Sequence, residues 1–194
     1  MLPKAVHYLC SHKSISRQRR KLVPLAKGRV LEVGFGSGLN LPFYDARRVR
    51  HLWGLEPRAE MWKMAQTGGM GFDVELIEAS AENIPLADGS ADTIVVTYTL
   101  CSIGRVVEAL LEMRRVLRPG GELLFCEHGL AGQERVRRWQ ARLNPIWEKL
   151  ADGCQLNRPV PRLLEKGGFK IGALQSGFIG RPKIATFNYW GRAR

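Results

Sequence analysis

The sequence lacks any apolar run of the ~18 residues needed to cross a bilayer. It is also short of cysteine and of acidic residues. Only four cysteines occur, Cys10, Cys101, Cys126 and Cys154, and none pairs as C-x-x-C. Their spacing fits no zinc motif, so no metal is expected, and a disulfide scaffold is excluded. Cys126 lies in an apolar, strand-like run and reads as core. Residues 1–21 are basic but carry no uninterrupted apolar stretch, so they do not read as a secretory signal. These absences make a reducing, cytoplasmic protein the expectation, in solution or peripheral to a membrane.

What is present is an ordinary globular composition. The chain has 194 residues, 45% of them hydrophobic, enough for one core and one domain. It carries 30 Lys and Arg against 18 Asp and Glu, a net charge of +12. The charge is uneven, about +9 over residues 1–50, −6 over 51–127 and +9 over 128–194. Basic ends attract nucleic acid, anionic lipid or an anionic small molecule, or are simply solvated. Nucleic acid is the weakest of these, because no RNA-binding module is visible and the basic residues are not interleaved with aromatics.

Apolar periodicity alternates between strand and helix. Arg29–Val33, His51–Leu55, Val74–Ala79, Asp92–Thr99 and Glu122–Cys126 read as strands, and Leu39–Ala46, Pro57–Gln66 and Val106–Leu117 as helices between them. Arg118-Pro119-Gly120-Gly121 stops the last of these helices. This order predicts an α/β fold with a mostly parallel sheet and helices on both faces. Gln133–Leu150 reads as a long helix with Val136, Trp139, Leu143, Trp147 and Leu150 on its apolar face, kinked or broken at Pro145. Val160–Lys166 is a further helix. Phe169–Ser176 and Ile184–Trp190 read as an antiparallel closing hairpin, bringing the sheet to seven strands.

The segment Val30-Leu31-Glu32-Val33-Gly34-Phe35-Gly36-Ser37-Gly38-Leu39-Asn40 is strand, glycine turn and helix start. Its glycines let a ligand approach the backbone, beside the unpaired N–H groups of a helix N-terminus. A dinucleotide fingerprint needs glycine where Leu39 stands, and a P-loop needs G-K-[ST]; both are absent. Glu56 ends the second strand, where a carboxylate can accept from both hydroxyls of a ribose.

Together with Leu117-Arg118-Pro119-Gly120-Gly121-Glu122-Leu123-Leu124, these residues resemble the class I S-adenosylmethionine-dependent methyltransferases, of the type 11 or ubiquinone/menaquinone C-methyltransferase-like kind. The resemblance covers residues 28–128 and implies a Rossmann-like seven-stranded sheet with S-adenosylmethionine as cofactor and S-adenosylhomocysteine as product. It implies that Glu32, Gly34, Gly36, Ser37, Gly38 and Asn40 hold the methionine and ribose part, and that Glu56 and Pro57 stand at the ribose. By the same likeness Met61 packs on the adenine, Ser80, Ala81 and Glu82 cover its edge, and Thr97 and Leu100 complete the site. Ser80 departs from the usual Asp, leaving a weaker neutral acceptor.

The tail, with Leu100-Cys101-Ser102, Glu127-His128 and Asp152-Gly153-Cys154-Gln155-Leu156-Asn157-Arg158, is similar to the alkyl thiol S-methyltransferase group. That likeness implies a small lipophilic acceptor, a thiol first. His128 is the first candidate for a base, and Asp152, Asn157 and Arg158 are candidates to line the pocket or to brace the next helix. Cys101 and Cys154 are expected to shape an apolar pocket. A phospholipid N-methyltransferase or a quinone C/O-methyltransferase at an anionic membrane surface is the alternative, motivated by the basic residues of Gln133–Leu150. A non-catalytic or RNA-binding protein is the distant one. Residues 1–27 are expected to form a helical lid, 28–128 the cofactor core and 129–194 the acceptor side. The oligomeric state is left open.

Overall fold

The computed structural model describes residues 3–194, with side chains from His7 onward; residues 1 and 2 of the expected lid lie outside them. Two helices, α1 (Pro3–Cys10) and α2 (Lys13–Leu22), precede the first strand. The strands are β1 (Gly28–Val33), β2 (Val49–Leu55), β3 (Asp73–Ile77), β4 (Ala91–Thr97), β5 (Leu117–His128), β6 (Ile171–Phe178) and β7 (Phe187–Ala193). They form one sheet in the order β3-β2-β1-β4-β5-β7-β6. β1 to β5 pair in parallel, and β7 is antiparallel to both its neighbours. The chain leaves β1 toward β2 and returns to its other side at β4. That reversal of direction opens a crevice at the carboxyl ends of β1 and β4.

Strand alternation divides the core between the two faces. Leu31, Val33, Ile94, Val96, Leu123 and Phe125 pack against Val106, Ala109, Leu110 and Met113 of α4 (Val106–Val116) and Val160 and Leu164 of α6 (Val160–Lys166). Val30, Val95, Leu124 and Cys126 face the other way, toward Leu22, Val23, Phe35, Leu41 and Tyr44. Cys126 is therefore core, as its apolar run suggests.

Several expected elements differ. Leu39–Ala46 is not a helix but a single 3-10 turn, Leu41–Phe43, because Pro42 offers no N–H to continue one. The helix expected over Pro57–Gln66 shortens to α3 (Ala59–Trp62). The Arg118–Gly121 turn belongs to β5, whose register with β4 shifts between Ala91 and Thr93, and Gly120 takes the positive φ this irregularity needs.

α5 (Glu134–Leu150) runs through Pro145 without ending. Side chains on either side of the proline anchor it. Gln140 Nε2 lies 3.0 Å from the carbonyls of Gly129, Leu156 and Ile184, and its Oε1 accepts from Ala131 N at 3.0 Å. Asn144 Oδ1 accepts from Leu156 N at 2.7 Å. These bonds also set the rotation of the helix. Gln140 is its one fully buried residue, while Trp139 and Leu150, expected on the packed face, are 47% and 70% exposed.

Gln140 thus ties three loops to one helix. Gln140→Leu keeps the volume but strands buried polar groups, so it should lower stability by about 2–4 kcal/mol, read by urea unfolding.

Candidate active site

A cleft of about 420 Å³ opens at the reversal point. Its floor is the turn after β1, where Gly34, Gly36 and Gly38 all have positive φ. A Cβ on Gly34 would sit 2.2 Å from Thr99 Oγ1, whereas one on Gly36 would meet nothing closer than Met61 Cε at 3.8 Å. Gly34 is therefore needed for packing, and Gly36 keeps a ligand-facing surface bare.

Glu32, Gly34, Gly36, Ser37, Glu56, Pro57, Met61, Ser80, Ala81, Glu82 and Thr97 all line the cleft. Glu56 is buried at its edge, accepting from Gly36 N at 3.0 Å and from Arg58 N at 3.3 Å. The Ser80 hydroxyl donates to Glu82 Oε2, which leaves the Ser80 oxygen as an acceptor. Three expected residues stand elsewhere. Leu100 is wholly buried in the core. Gly38 packs against Leu41 and Ala65. Asn40 is buried behind the wall, donating to Glu32 Oε1 at 2.9 Å and Thr97 Oγ1 at 3.0 Å. For Gly38 and Asn40 the reason is shared: the chain tightens into the 3-10 turn Leu41–Phe43, which carries both away from the cleft, whereas Leu100, in the turn after β4, is packed into the core on the α4 side.

The N-terminal helices contribute residues that the sequence reading missed. His7, Cys10 and Arg19 line the cleft, and His7 Nδ1 lies 2.7 Å from Ser37 Oγ. His12 instead caps α2, accepting from Ser14 N. Arg19 is 4% exposed, lies over the Tyr98 ring at 5.4 Å, and has no partner for its Nε. In the sequence it sits inside a basic run that reads as a solvated face. Its spacing from Ile15 and Leu22, four and three residues, is the signal that it shares their inward face.

The acceptor side is built by the turn after β4, the end of β5 and the link after α5. Tyr98 and Asp152 are the two non-glycine residues with positive φ among those described, and both line the cleft, where strained backbone is characteristic of functional positions. Asp152 pairs with Arg58, which also lies 3.5 Å from Glu56. The candidate Asp152 thus links the ribose-side loop to the acceptor-side link. His128 does not line the cleft. Its Nε2 lies 3.1 Å from Cys154 Sγ, with Cys101 alongside.

The neighbouring Cys101 thiol holds the Cys154 thiol well below its ordinary range, helped by His128 and Trp147 against burial. Burial pulls the His128 imidazole down, but the Cys154 thiolate raises it overall. Cys101 and Cys154, expected to shape an apolar pocket, gather on His128 and do not themselves line the cleft. Arg158 is 6% exposed and donates to Ile103 O at 2.6 Å, while its Nε and Nη1 find no partner. Asn157 precedes it in the same link. Behind them Glu127, wholly buried, accepts from Thr99 N at 2.8 Å.

On the cofactor side, burial pushes Glu32 up to about 7, against the lowering effects of Tyr44, Arg19 and Asn40. A carboxyl that holds its proton longer when folded stabilises below its unfolded value of 4.5 and loses that stability as the pH rises through 7. Between pH 4.5 and 7.5 the protein should lose on the order of 3 kcal/mol that Glu32→Gln keeps. Urea midpoints across pH check this, and parallel profiles for the two proteins would refute it.

Comparison with known proteins agrees with this geometry. A methyltransferase domain family matches residues 31–125. Thiol S-methyltransferase TMT1A of Homo sapiens is 35% identical over 156 residues, covering 78% of this chain and 64% of that protein. Thiol S-methyltransferase TMT1B of Rattus norvegicus is 33% identical over 172 residues, covering 82% of this chain and 70% of that protein. The chain thus spans 64% to 70% of the length of these relatives. In fold it is similar to a SAM-dependent methyltransferase from Thermotoga maritima, with a TM-score of 0.67 and 21% identity over 98% of this chain and 93% of that one. A glycine turn and a strand-end carboxylate meet in one cleft, in a chain a third identical to these relatives over most of its length: it belongs to the S-adenosylmethionine-dependent methyltransferases and takes S-adenosylmethionine as its cofactor.

Proposed function

We propose that this methyltransferase acts on a small lipophilic thiol. The observation that carries the reading is the acceptor-side cluster, where Cys101, His128 and Cys154 stand beside a buried Arg158 with two unpartnered nitrogens. Likeness to the thiol S-methyltransferases supports it.

On this reading Glu56 holds the ribose, Met61 packs on the adenine, and Ser80, Ala81 and Glu82 cover its edge. The backbone of Gly34, Gly36 and Ser37 takes the methionine part, and Arg19 is the cation available to its carboxylate. When bound, S-adenosylmethionine supplies an electrophilic methyl on a positively charged sulfur and leaves as S-adenosylhomocysteine. The protein's task is then to place an acceptor sulfur in line and to keep it deprotonated. A free thiol has a pKa of ~8.5, and cations lower it. His128, the first candidate for a base, has its Nε2 3.1 Å from Cys154 Sγ, so on this reading it acts on Cys154 and not directly on the acceptor. The Arg158 guanidinium supplies a fixed positive field instead, since arginine does not deprotonate in proteins.

A second reading, methylation of a phospholipid or quinone at an anionic membrane surface, is favoured by α5. Trp139, Ile146 and Leu150 are 47%, 61% and 70% exposed and fall within about 40° of one another around the helix. Arg138, Arg142 and Lys149 flank this stripe on one side. No helix among the described residues is long and apolar enough to cross a membrane. Absence of co-sedimentation with anionic vesicles at low salt would remove this reading.

Three further outcomes are expected. Gly36→Ala should weaken S-adenosylmethionine binding at least tenfold while costing only ~1–2 kcal/mol of stability, whereas Gly34→Ala should disrupt folding through Thr99. Calorimetry with parallel unfolding curves separates the two. With a simple alkyl thiol, S-adenosylhomocysteine should form faster as the pH rises from 6 to 9. Arg158→Met should cut kcat/KM for the thiol about tenfold and move its pH profile to the alkaline side, with cofactor affinity unchanged. An unshifted profile would remove Arg158 from this role, and no thiol turnover by a cofactor-binding protein would remove the thiol reading.

A further inference from the structure

Cys101, His128 and Cys154 come from three separate elements, yet their ligating atoms all lie within 4.8 Å of one another. The gathering is not a loose surface coincidence. Cys101 is 4% exposed, and Gln155 N donates to Cys101 O at 3.0 Å, tying the two cysteine-bearing turns together backbone to backbone. His128 stands at the end of β5, fixed by the sheet. Trp147 Nε1 lies 3.5 Å from Cys154 Sγ and can donate to it. Residues on either flank, Ser102 and Asp152, line the cleft.

Two thiolates and an imidazole are a donor set suited to zinc. Ligand bonds of about 2.0–2.3 Å in a tetrahedron put donor atoms roughly 3.3–3.8 Å apart. The spacing here, 3.1 Å for His128 to Cys154 and at most 4.8 Å for the others, reaches that with side-chain movements of an ångström or less. A donor such as Trp147 beside a ligand sulfur is the kind of outer contact that orients it. Three protein ligands with one position open is the pattern of reactive zinc, while structural sites close with four. A divalent ion would also neutralise two thiolates, leaving Glu127 and Arg158 as balancing charges.

We infer that Cys101, His128 and Cys154 bind one zinc ion whose open fourth position receives the acceptor sulfur as a thiolate. The fourth-position role rests on the thiol reading, but the metal site does not. The acceptor thiol displaces bound water and releases its proton to solvent. The zinc stays divalent, and no oxidant or reductant enters. After methylation the sulfur is a neutral thioether, a poorer ligand, and leaves.

The test is metal content of the full chain, expressed with zinc and exchanged into metal-free buffer under reducing conditions. About one zinc per chain is expected, falling at least tenfold in a Cys101→Ser/Cys154→Ser protein whose circular dichroism is unchanged. Should that variant not fold, cobalt titration of the unaltered chain decides: a thiolate-to-cobalt charge-transfer band is expected, and its absence overturns the site. Trace zinc in the unaltered chain, or equal zinc in a folded double variant, also overturns it. A metal-free protein that still methylates alkyl thiols sinks the zinc and leaves the thiol reading standing. Stoichiometric zinc, with a cobalt spectrum that ignores added alkyl thiol and no thiol turnover, keeps the metal and sinks the fourth-position role together with the thiol reading.

Discussion

A carboxylate buried at the carboxyl end of the first strand holds the cleft in shape. Glu32 accepts from Asn40 Nδ2 at 2.9 Å and from the Tyr44 hydroxyl at 2.7 Å. The same Asn40 nitrogen reaches Thr97 Oγ1, and its oxygen lies 3.4 Å from Arg19 Nη1. One network therefore joins β1, the chain after the glycine turn, β4 and α2. Within it Glu32, Asn40, Tyr44 and Thr97 satisfy one another, as a buried polar network must if it is not to cost more than apolar packing. That condition fixes the distance between β1 and β4 ends, and with it the width of the crevice. It also explains why Asn40 turns inward: its amide is the joint between two strands, and a ligand in the cleft would compete for it.

The cofactor half of the site was legible because it is local. Strand, glycine turn and strand-end carboxylate are short-range patterns, and a residue that must follow β1 or end β2 can be counted off along the chain. Gly34, Gly36 and Glu56 fall where such counting puts them. The same logic failed just downstream, where Pro42 replaced a helix by a 3-10 turn and carried Gly38 and Asn40 away from the cleft. Arg19 was hidden for a different reason. A run of basic residues looks solvated, and only the rotation of α2 shows that one of them is buried. The thiol and imidazole cluster was illegible by spacing alone, since Cys101, His128 and Cys154 are joined only through the sheet and the link after α5.

That link also shows how a single polar residue can overrule an apolar pattern. Hydrophobic periodicity places Trp139 and Leu150 on the packed face of α5, but the bonds of Gln140 to Gly129, Leu156 and Ile184 turn the helix away from that answer. Three carbonyls at loop ends need donors wherever they are buried, and a helix that supplies one cannot also choose its rotation by hydrophobicity. The cost is an exposed apolar stripe, and the gain is a fixed position for Trp147 against Cys154.

The two halves of the cleft are thus stabilised differently. The cofactor half rests on strand ends and a glycine turn whose backbone conformation is dictated by the sheet. The acceptor half rests on loops held by side chains: Arg58 on Asp152, Asn144 on Leu156, Gln140 on three carbonyls and Arg158 on Ile103. Replacing those side chains leaves the sheet, and so the cofactor floor, in place while repositioning every group that faces the acceptor. Acceptor chemistry can therefore change through a handful of residues between 98 and 103 and between 128 and 158, with the cofactor site unaltered. Within that region Tyr98 and Asp152, which both line the cleft, are held at positive φ. A backbone forced into that conformation relaxes if its anchors are removed, so the anchors, and not the strained residues themselves, set where the acceptor wall stands.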